Sequence, residues 1–289
     1  RMCTRAKRKY VASDRAQRES SADGTLFIGE SMITATGNKR IKWLVSLTEK
    51  AKERKKEQVF LVEGTKMFEE ADEKYIREVY VSESYIEKNG ISEKLKKTGY
   101  ETVSDEVFKK ISDTKAPQGI LCVMKQYQYT LEELLQKENP VFVLLEDIQD
   151  PGNLGTILRT GEGAGIDGVI MTKDTVDIYN PKTIRATMGS VYRMPFLYVD
   201  SLADVIEKLQ EKGISVYAAH LQGKEYYDSF DFKKGSAFLI GNEGNGLKKE
   251  TADLADFYLK IPMEGKVESL NAAIATSLLM YESYRQRRK

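Results

Sequence analysis

Three stretches of this 289-residue chain carry residue types whose spacing could do chemistry. The first runs Glu146-Asp147-Ile148-Gln149-Asp150-Pro151-Gly152-Asn153-Leu154-Gly155-Thr156-Ile157-Leu158-Arg159-Thr160, directly behind a short apolar run. A Pro-Gly turn leads to Asn153, which can cap a helix, and Arg159 follows six residues later, within two turns of that helix. The second, Leu239-Ile240-Gly241-Asn242-Glu243-Gly244-Asn245-Gly246-Leu247, places three glycines behind another apolar run. Such a backbone can approach a ligand closely and adopt positive φ. It is not the GxGxxG fingerprint, and no Gly-Lys-Ser/Thr ending makes it a P-loop. Glu243 among the glycines would repel phosphate, which points to a different ligand. The third, Ile261-Pro262-Met263-Glu264-Gly265-Lys266-Val267-Glu268-Ser269-Leu270-Asn271-Ala272-Ala273-Ile274-Ala275, repeats the order of strand end, loop and helix start. Each stretch also has an ordinary reading: Asn153 and Ser269 as helix caps, Arg159 in a surface ion pair, the glycines as a plain loop and the alanines as core.

The elements that must position these residues are short apolar runs separated by helical stretches. Val141–Leu145, Gly168–Met171, Phe196–Val199, Ile214–Ala218, Ala237–Ile240 and Phe257–Ile261 suit buried parallel strands. Helices are expected at Asn153–Glu162, at Ser201–Lys212 with Gly213 as its stop, at Lys248–Ala255 and at Ser269–Arg285. This alternation predicts an open, mostly parallel sheet covered by helices. The three stretches then fall at strand carboxyl ends, where such sheets bind ligands.

Upstream lies a smaller α/β pattern: strands Val59–Val62, Val79–Val81 and Gly119–Met124, with helices at Lys39–Arg54, Thr65–Asp72 and Ile86–Lys96. The first helix buries Ile41, Leu44, Val45 and Leu47. Its other face carries Lys39, Arg40, Lys42, Lys50, Lys52 and Arg54, continuing into Lys55 and Lys56, against only Glu49 and Glu53. Such a bias would attract a phosphate backbone, although charged helix faces are also merely solvated. The expected organisation is a basic arm or upstream extension over 1–31, a smaller α/β domain over 32–125, a linker over 126–140 with one helical turn at Leu131–Leu135, and a larger α/β domain over 141–289.

Composition narrows the function classes. Lys+Arg 45 against Asp+Glu 44 excludes a histone-like polycation. Cys3 and Cys122 make no disulfide framework, and His220, the single histidine, makes no multi-histidine metal site. The sparse cysteines point to a reducing cytosol. No apolar run approaches the roughly 20 residues that span a bilayer.

Taken together, the three stretches closely resemble the SpoU (TrmH-like) family of RNA ribose 2′-O-methyltransferases in the SPOUT class. Asn153, Gly155 and Arg159 resemble its first motif, Gly241–Leu247 its second and Ile261–Ala275 its third. Ala272 and Ala273 stand where many members have Val-Ser, a change conservative in size. Residues 39–125 are similar, less specifically, to the ribosomal-protein-like RNA-binding domain that many members carry.

The resemblance implies a C-terminal trefoil knot that holds S-adenosylmethionine, with Gly241, Ile261 and Leu270 as cofactor positions. It also implies a homodimer with the last helix at its interface, and SN2 methyl transfer to a ribose 2′-oxygen without metal. Arg159 becomes the candidate catalytic residue, orienting a phosphate and stabilising the developing alkoxide. A guanidinium stays protonated and makes a poor base, so the proton acceptor is left open. Asn153, Glu243, Ser269 and Asn271 would position RNA and cofactor. The separate N-terminal domain favours ribosomal RNA over tRNA. A non-catalytic RNA-binding or ribosome-assembly protein on the same fold is the competing expectation, and a dehydrogenase ranks last because no Rossmann fingerprint is present.

Overall fold

Strand patterns of two kinds build two sheets in this computed structural model, which describes residues 32–267 and 269–288. The expected arm over 1–31 lies outside the described residues. The smaller unit begins with α1 (Lys39–Glu49) and α2 (Ala51–Glu57), followed by β1 (Val59–Glu63) and α3 (Thr65–Glu70). It continues through β2 (Ile76–Ser82), α4 (Glu83–Asn89), α5 (Glu93–Thr98), β3 (Glu101–Val103), α6 (Asp105–Ile111) and β4 (Ile120–Lys125). Its strand order is β1-β4-β2-β3; β4 is antiparallel to both neighbours, whereas β2 and β3 are parallel.

The connector holds one helical turn, α7 (Leu131–Leu134), closed by a Thr130/Glu133 capping box. The larger unit then runs β5 (Val141–Leu145), α8 (Pro151–Ala164), β6 (Gly168–Thr172), α9 (Pro181–Thr187), β7 (Phe196–Val199), α10 (Leu202–Glu211) and β8 (Ser215–Ala219). It closes with β9 (Glu225–Tyr226), β10 (Ser236–Ile240), α11 (Lys249–Ala252), β11 (Phe257–Lys260) and α12 (Ala272–Arg287). All pairings in its order β7-β6-β5-β10-β8-β11-β9 are parallel, as the unbroken apolar runs predict. Alternate β5 residues feed two cores. Val141, Val143 and Leu145 pack with α8, α9 and α12, while Phe142 and Leu144 pack with α10. The first of these cores extends without a break into the smaller sheet through Phe60, Val62 and Val79.

Several local expectations are corrected. The first helix is broken at Lys50, whose extended backbone separates α1 from α2. Arg54 does not join the exposed basic face: it is buried, because its guanidinium satisfies the carbonyls of Leu47 and Thr48 and pairs with Asp177 of the larger unit. Arg40 is likewise taken up by Glu101. The helix expected over Ile86–Lys96 is two, interrupted at Gly90, whose positive φ ends α4. Strand β3 and helices α6 and α9 add to the elements that the apolar pattern predicts.

Candidate active site

Three loops meet at the carboxyl ends of β5, β10 and β11. Asp150, and not Asn153, caps α8: its Oδ1 accepts the Asn153 N–H at 2.7 Å, with Pro151 at the first helical position. Asn153 thus sits within the first turn with its side chain available. Likewise Asn271 replaces Ser269 as cap of α12, its Oδ1 accepting from the N–H groups of Ala273 and Ile274. Ser269 lies exposed in the loop before it.

These two side chains join the third segment in one hydrogen-bond chain. Asn271 Nδ2 donates to Asn153 Oδ1 at 2.9 Å, and Asn153 Nδ2 donates to Glu243 Oε1 at 3.0 Å. The carboxylate also accepts the backbone N–H groups of Gln149 and Asp150, both at 3.0 Å. An ionised carboxylate only accepts, so the Asn153 amide has one orientation and in turn sets that of Asn271. Partial burial works against the Glu243 charge, but these three donors outweigh it and hold its carboxyl below the usual range. Glu243 is therefore committed to holding the three loops together.

Residues beyond the expected set complete the clasp. Buried Glu146 accepts the Lys248 N–H at 2.7 Å and the Thr251 hydroxyl at 2.5 Å, fixing the far end of the glycine loop. Asp147, at φ 56°, presents its carbonyl to Asn242 Nδ2 at 2.7 Å and its carboxylate to Thr172 and the Lys248 ammonium. Burial opposes the Asp147 charge, yet Lys248 and Thr172 hold its carboxyl low. The available signal was a pair of carboxylates directly behind a fully apolar strand, facing a turn.

Gly241 shows why the second segment is rich in glycine. A Cβ there would fall 2.2 Å from backbone atoms of Gly246 and Leu247, because the turn bridged between Asn242 and Gly246 folds back upon it. At the end of neighbouring β8, a Cβ on Gly223 would meet the Leu259 carbonyl carbon at 2.8 Å. Ile261 and Leu270 are half-buried at the two ends of the third loop. Neither the stretch 241–247 nor 261–265 contains a basic residue. Glycine backbone at 241–246 and the half-buried aliphatic side chains of Ile261 and Leu270 suit a nucleoside thioether or sulfonium approached through backbone groups, with no cluster of cations of the kind a polyphosphate needs. The residue types present therefore fit S-adenosylmethionine.

Arg159 stands apart from the chain of amides. Six helical residues carry it about 9 Å along α8 and about 120° around the axis from Asn153. It is exposed, and among the described residues no carboxylate pairs with it. Helix α8 can lie this close to its neighbours because Gly155 faces α9, where a Cβ would come 2.4 Å from Ala186. His220 lies outside the clasp, its ring 4.8 Å from that of Tyr258.

Residues 140–281 match the SpoU rRNA Methylase family, and residues 38–122 match the MRM3-like substrate binding domain. The 23S rRNA (guanosine(2553)-2′-O)-methyltransferase RlmP of Bacillus subtilis is 33% identical over 253 residues, covering 86% of this chain and 97% of the relative. The chain belongs to the SpoU family. Among solved structures, the AdoMet-bound rRNA methyltransferase from Sinorhizobium meliloti aligns with a TM-score of 0.80 and 32% identity, over 90% of this chain and 99% of that one. AviRb from Streptomyces viridochromogenes, in complex with AdoMet, aligns at 0.77 and 26%, over 86% and 98%. Membership fits the parallel sheet and the meeting of three motif loops at its carboxyl edge. Among the described residues, no helix is long and apolar enough to cross a membrane.

Proposed function

We propose that this SpoU-family methyltransferase transfers a methyl group to a ribose 2′-hydroxyl of ribosomal RNA, 23S in preference to tRNA. The observation that carries the reading is the Asn271–Asn153–Glu243 chain, which holds three motif loops at one sheet edge. The RlmP relative supports the ribose position and the rRNA substrate. S-adenosylmethionine supplies an electrophilic methyl group on a sulfonium, which departs as a neutral thioether. Gly241, Ile261 and Leu270 hold it; Asn153, Glu243 and Asn271 keep the loops in register. The exposed Arg159 guanidinium binds the RNA phosphate beside the reacting sugar and stabilises charge growing on the 2′-oxygen. Ser269, whose side chain is exposed, is free to contact RNA.

The division of labour follows the two sheets. Residues 32–125 grip the substrate, 126–140 link, and 141–289 carry out transfer, through the trefoil knot that the family resemblance implies. Helix α12 buries Ala272, Ala273, Thr276, Leu279 and Met280 but exposes Ile274, Leu278, Tyr281 and Tyr284. This second apolar stripe supports a homodimer about α12. The cytoplasm is the compartment this reading expects, where a ribosomal RNA substrate is met.

The test is incubation with methyl-labelled S-adenosylmethionine and either unmodified ribosomal RNA or unmodified tRNA, followed by digestion to nucleosides. Label in 2′-O-methylnucleosides of rRNA is expected. Label on a base would refute the ribose assignment, and label in tRNA alone would refute the substrate. Absence of cofactor binding would favour a non-catalytic RNA-binding protein.

A further inference from the structure

Where the two units meet, the structure leaves a cleft of about 350 Å³, lined from both sides. That is the size class of small-ligand pockets, roughly 300–1,000 Å³. Its walls include Leu61, Met67 and Ile111 of the smaller unit and Ile184 and Met188 of the larger. Met188 is exposed and held at φ 50°, a conformation unfavourable for a residue with a Cβ. At the polar edge, Glu63 is already committed to Ser112, Thr114 and the Gln118 N–H. The Gln118 amide oxygen accepts from Thr65, so its two N–H donors face no described partner. Apolar walls with amide donors at the edge match a nucleobase, which has apolar faces and acceptors around its rim.

Cations flank the same joint. Arg54 Nη2 reaches Asp177 Oδ2 at 2.7 Å, fixing α2 beside the segment that enters α9. Thr48 of α1 and Pro181 of α9 line the same cleft, so the exposed Lys50, Lys52 and Lys55 follow one wall in sequence and the exposed Lys182 follows the other. Among the described residues, none of these four lysines pairs with a carboxylate, whereas Arg54, Arg185 and Arg193 do. Helix α9 packs on α8, which carries Arg159, so a strand crossing the joint heads towards the catalytic helix.

We propose that this joint is part of the RNA site: a single-stranded stretch of substrate crosses it, with an unpaired base in the cleft and its phosphates on Lys50, Lys55 and Lys182. The inference rests on the methyltransferase reading and extends the RNA surface from the smaller unit onto the catalytic one. Buried Arg54 acts as a positioning residue that keeps the two sets of lysines in line.

The probe is a short fluorescent single-stranded RNA of mixed sequence, titrated with full-length protein at several salt concentrations, beside the same strand paired to its complement. Lys182→Glu should lower the slope of log affinity against log salt by about 0.7, the share of one phosphate on a single strand. Between about 50 and 200 mM salt, the loss of affinity then becomes about 2.6-fold shallower. Ala116→Trp, which fills the mouth of the cleft, should weaken single-stranded RNA by about tenfold, in the range of one stacked base, and leave the duplex unchanged. Calorimetry with S-adenosylmethionine should show both variants binding cofactor normally. An unchanged slope in Lys182→Glu, or an unchanged single-strand affinity in Ala116→Trp, overturns the proposal while leaving methyl transfer intact. Failure of the wild-type protein to methylate any RNA would instead overturn the reading beneath it.

Discussion

Replacing Glu243 with glutamine separates a loop-holding role from general-base catalysis. The carboxylate accepts three hydrogen bonds, from Gln149 N, Asp150 N and Asn153 Nδ2. Glutamine offers one acceptor oxygen, so in its better orientation it keeps Asp150 and Asn153 and turns an NH2 group towards the Gln149 N–H. Hydrogen bonds to a charged group contribute about 1.5–3 kcal/mol, against about 0.5–1.5 kcal/mol for neutral ones. One bond lost and two weakened amount to about 3.5–6 kcal/mol in a dry site. Glu243 is exposed and water can replace the missing partner, which reduces the net cost to about 1–2 kcal/mol. Since about 1.4 kcal/mol is tenfold, calorimetry should show S-adenosylmethionine bound about 5- to 30-fold more weakly. At saturating cofactor, kcat should fall only a few-fold, and its pH profile should keep its shape. A kcat reduced by about 10²-fold or more with the alkaline plateau lost, at unchanged cofactor affinity, would make Glu243 the proton acceptor and refute this account.

Arg159→Ala should lower turnover by about 10²–10³-fold in the labelled-methyl assay while calorimetric cofactor affinity stays unchanged. Gly241→Ala pushes a Cβ against the backbone of Gly246 and Leu247, so cofactor affinity should fall at least about tenfold, with about 1–3 kcal/mol of stability lost in denaturant titration. Leu278→Asp with Tyr281→Asp places charge on the exposed stripe of α12; light scattering should report a dimer for the unaltered protein and a monomer for the variant. Acidification tests the clasp as a whole. Arg193 hydrogen bonds lower the carboxyl of Glu162; at Glu243 and Asp147, donors and Lys248 outweigh the opposing effect of burial. Groups with depressed folded pKa stabilise fully above the ordinary carboxylate range, and that contribution is lost as pH falls through the folded values. Tm should therefore be level from about pH 5 to 8 and decline below about pH 4; a decline beginning near neutrality would contradict this.

The strands around the site were legible because a strand buried on both faces leaves an unbroken apolar run. Val141–Leu145 and Phe196–Val199 sit where their runs do, and the others shift by a residue. The motif residues were legible as types and spacings, but their local duties were not. Ser269 and Asn153 are good caps in isolation; Pro151 and the turn at Asn271 hand that duty to Asp150 and Asn271. Strand β3 has three residues, too few for a period to show. Helix α9 had a usable signal, Asn180 followed by Pro181, in a stretch too polar to attract attention. The fate of Arg54 was beyond reach, because its partner Asp177 is 123 residues away, in the segment between β6 and α9 of the larger unit.

The position of β10 bears on how the chain is made. It occupies the slot between β5 and β8, yet it is synthesised after both. As the nascent chain leaves the ribosome, β5 and β8 have no partner on the sides they will share with β10, and those edges are apolar, with Phe142, Val143, Val216 and Ala218 fully buried only in the finished sheet. Pairing β5 directly with β8 would be the nearest off-pathway alternative, and it must be undone or avoided before β10 can enter. Long-range parallel pairing of this kind is slow, and intermediates with open strand edges aggregate. All four strands of the smaller sheet are synthesised before β5, whereas the catalytic half must wait for a late central strand. Refolding from denaturant should accordingly be biphasic and concentration-sensitive, and ribosome-stalled chains ending before residue 236 should remain protease-sensitive beyond β4.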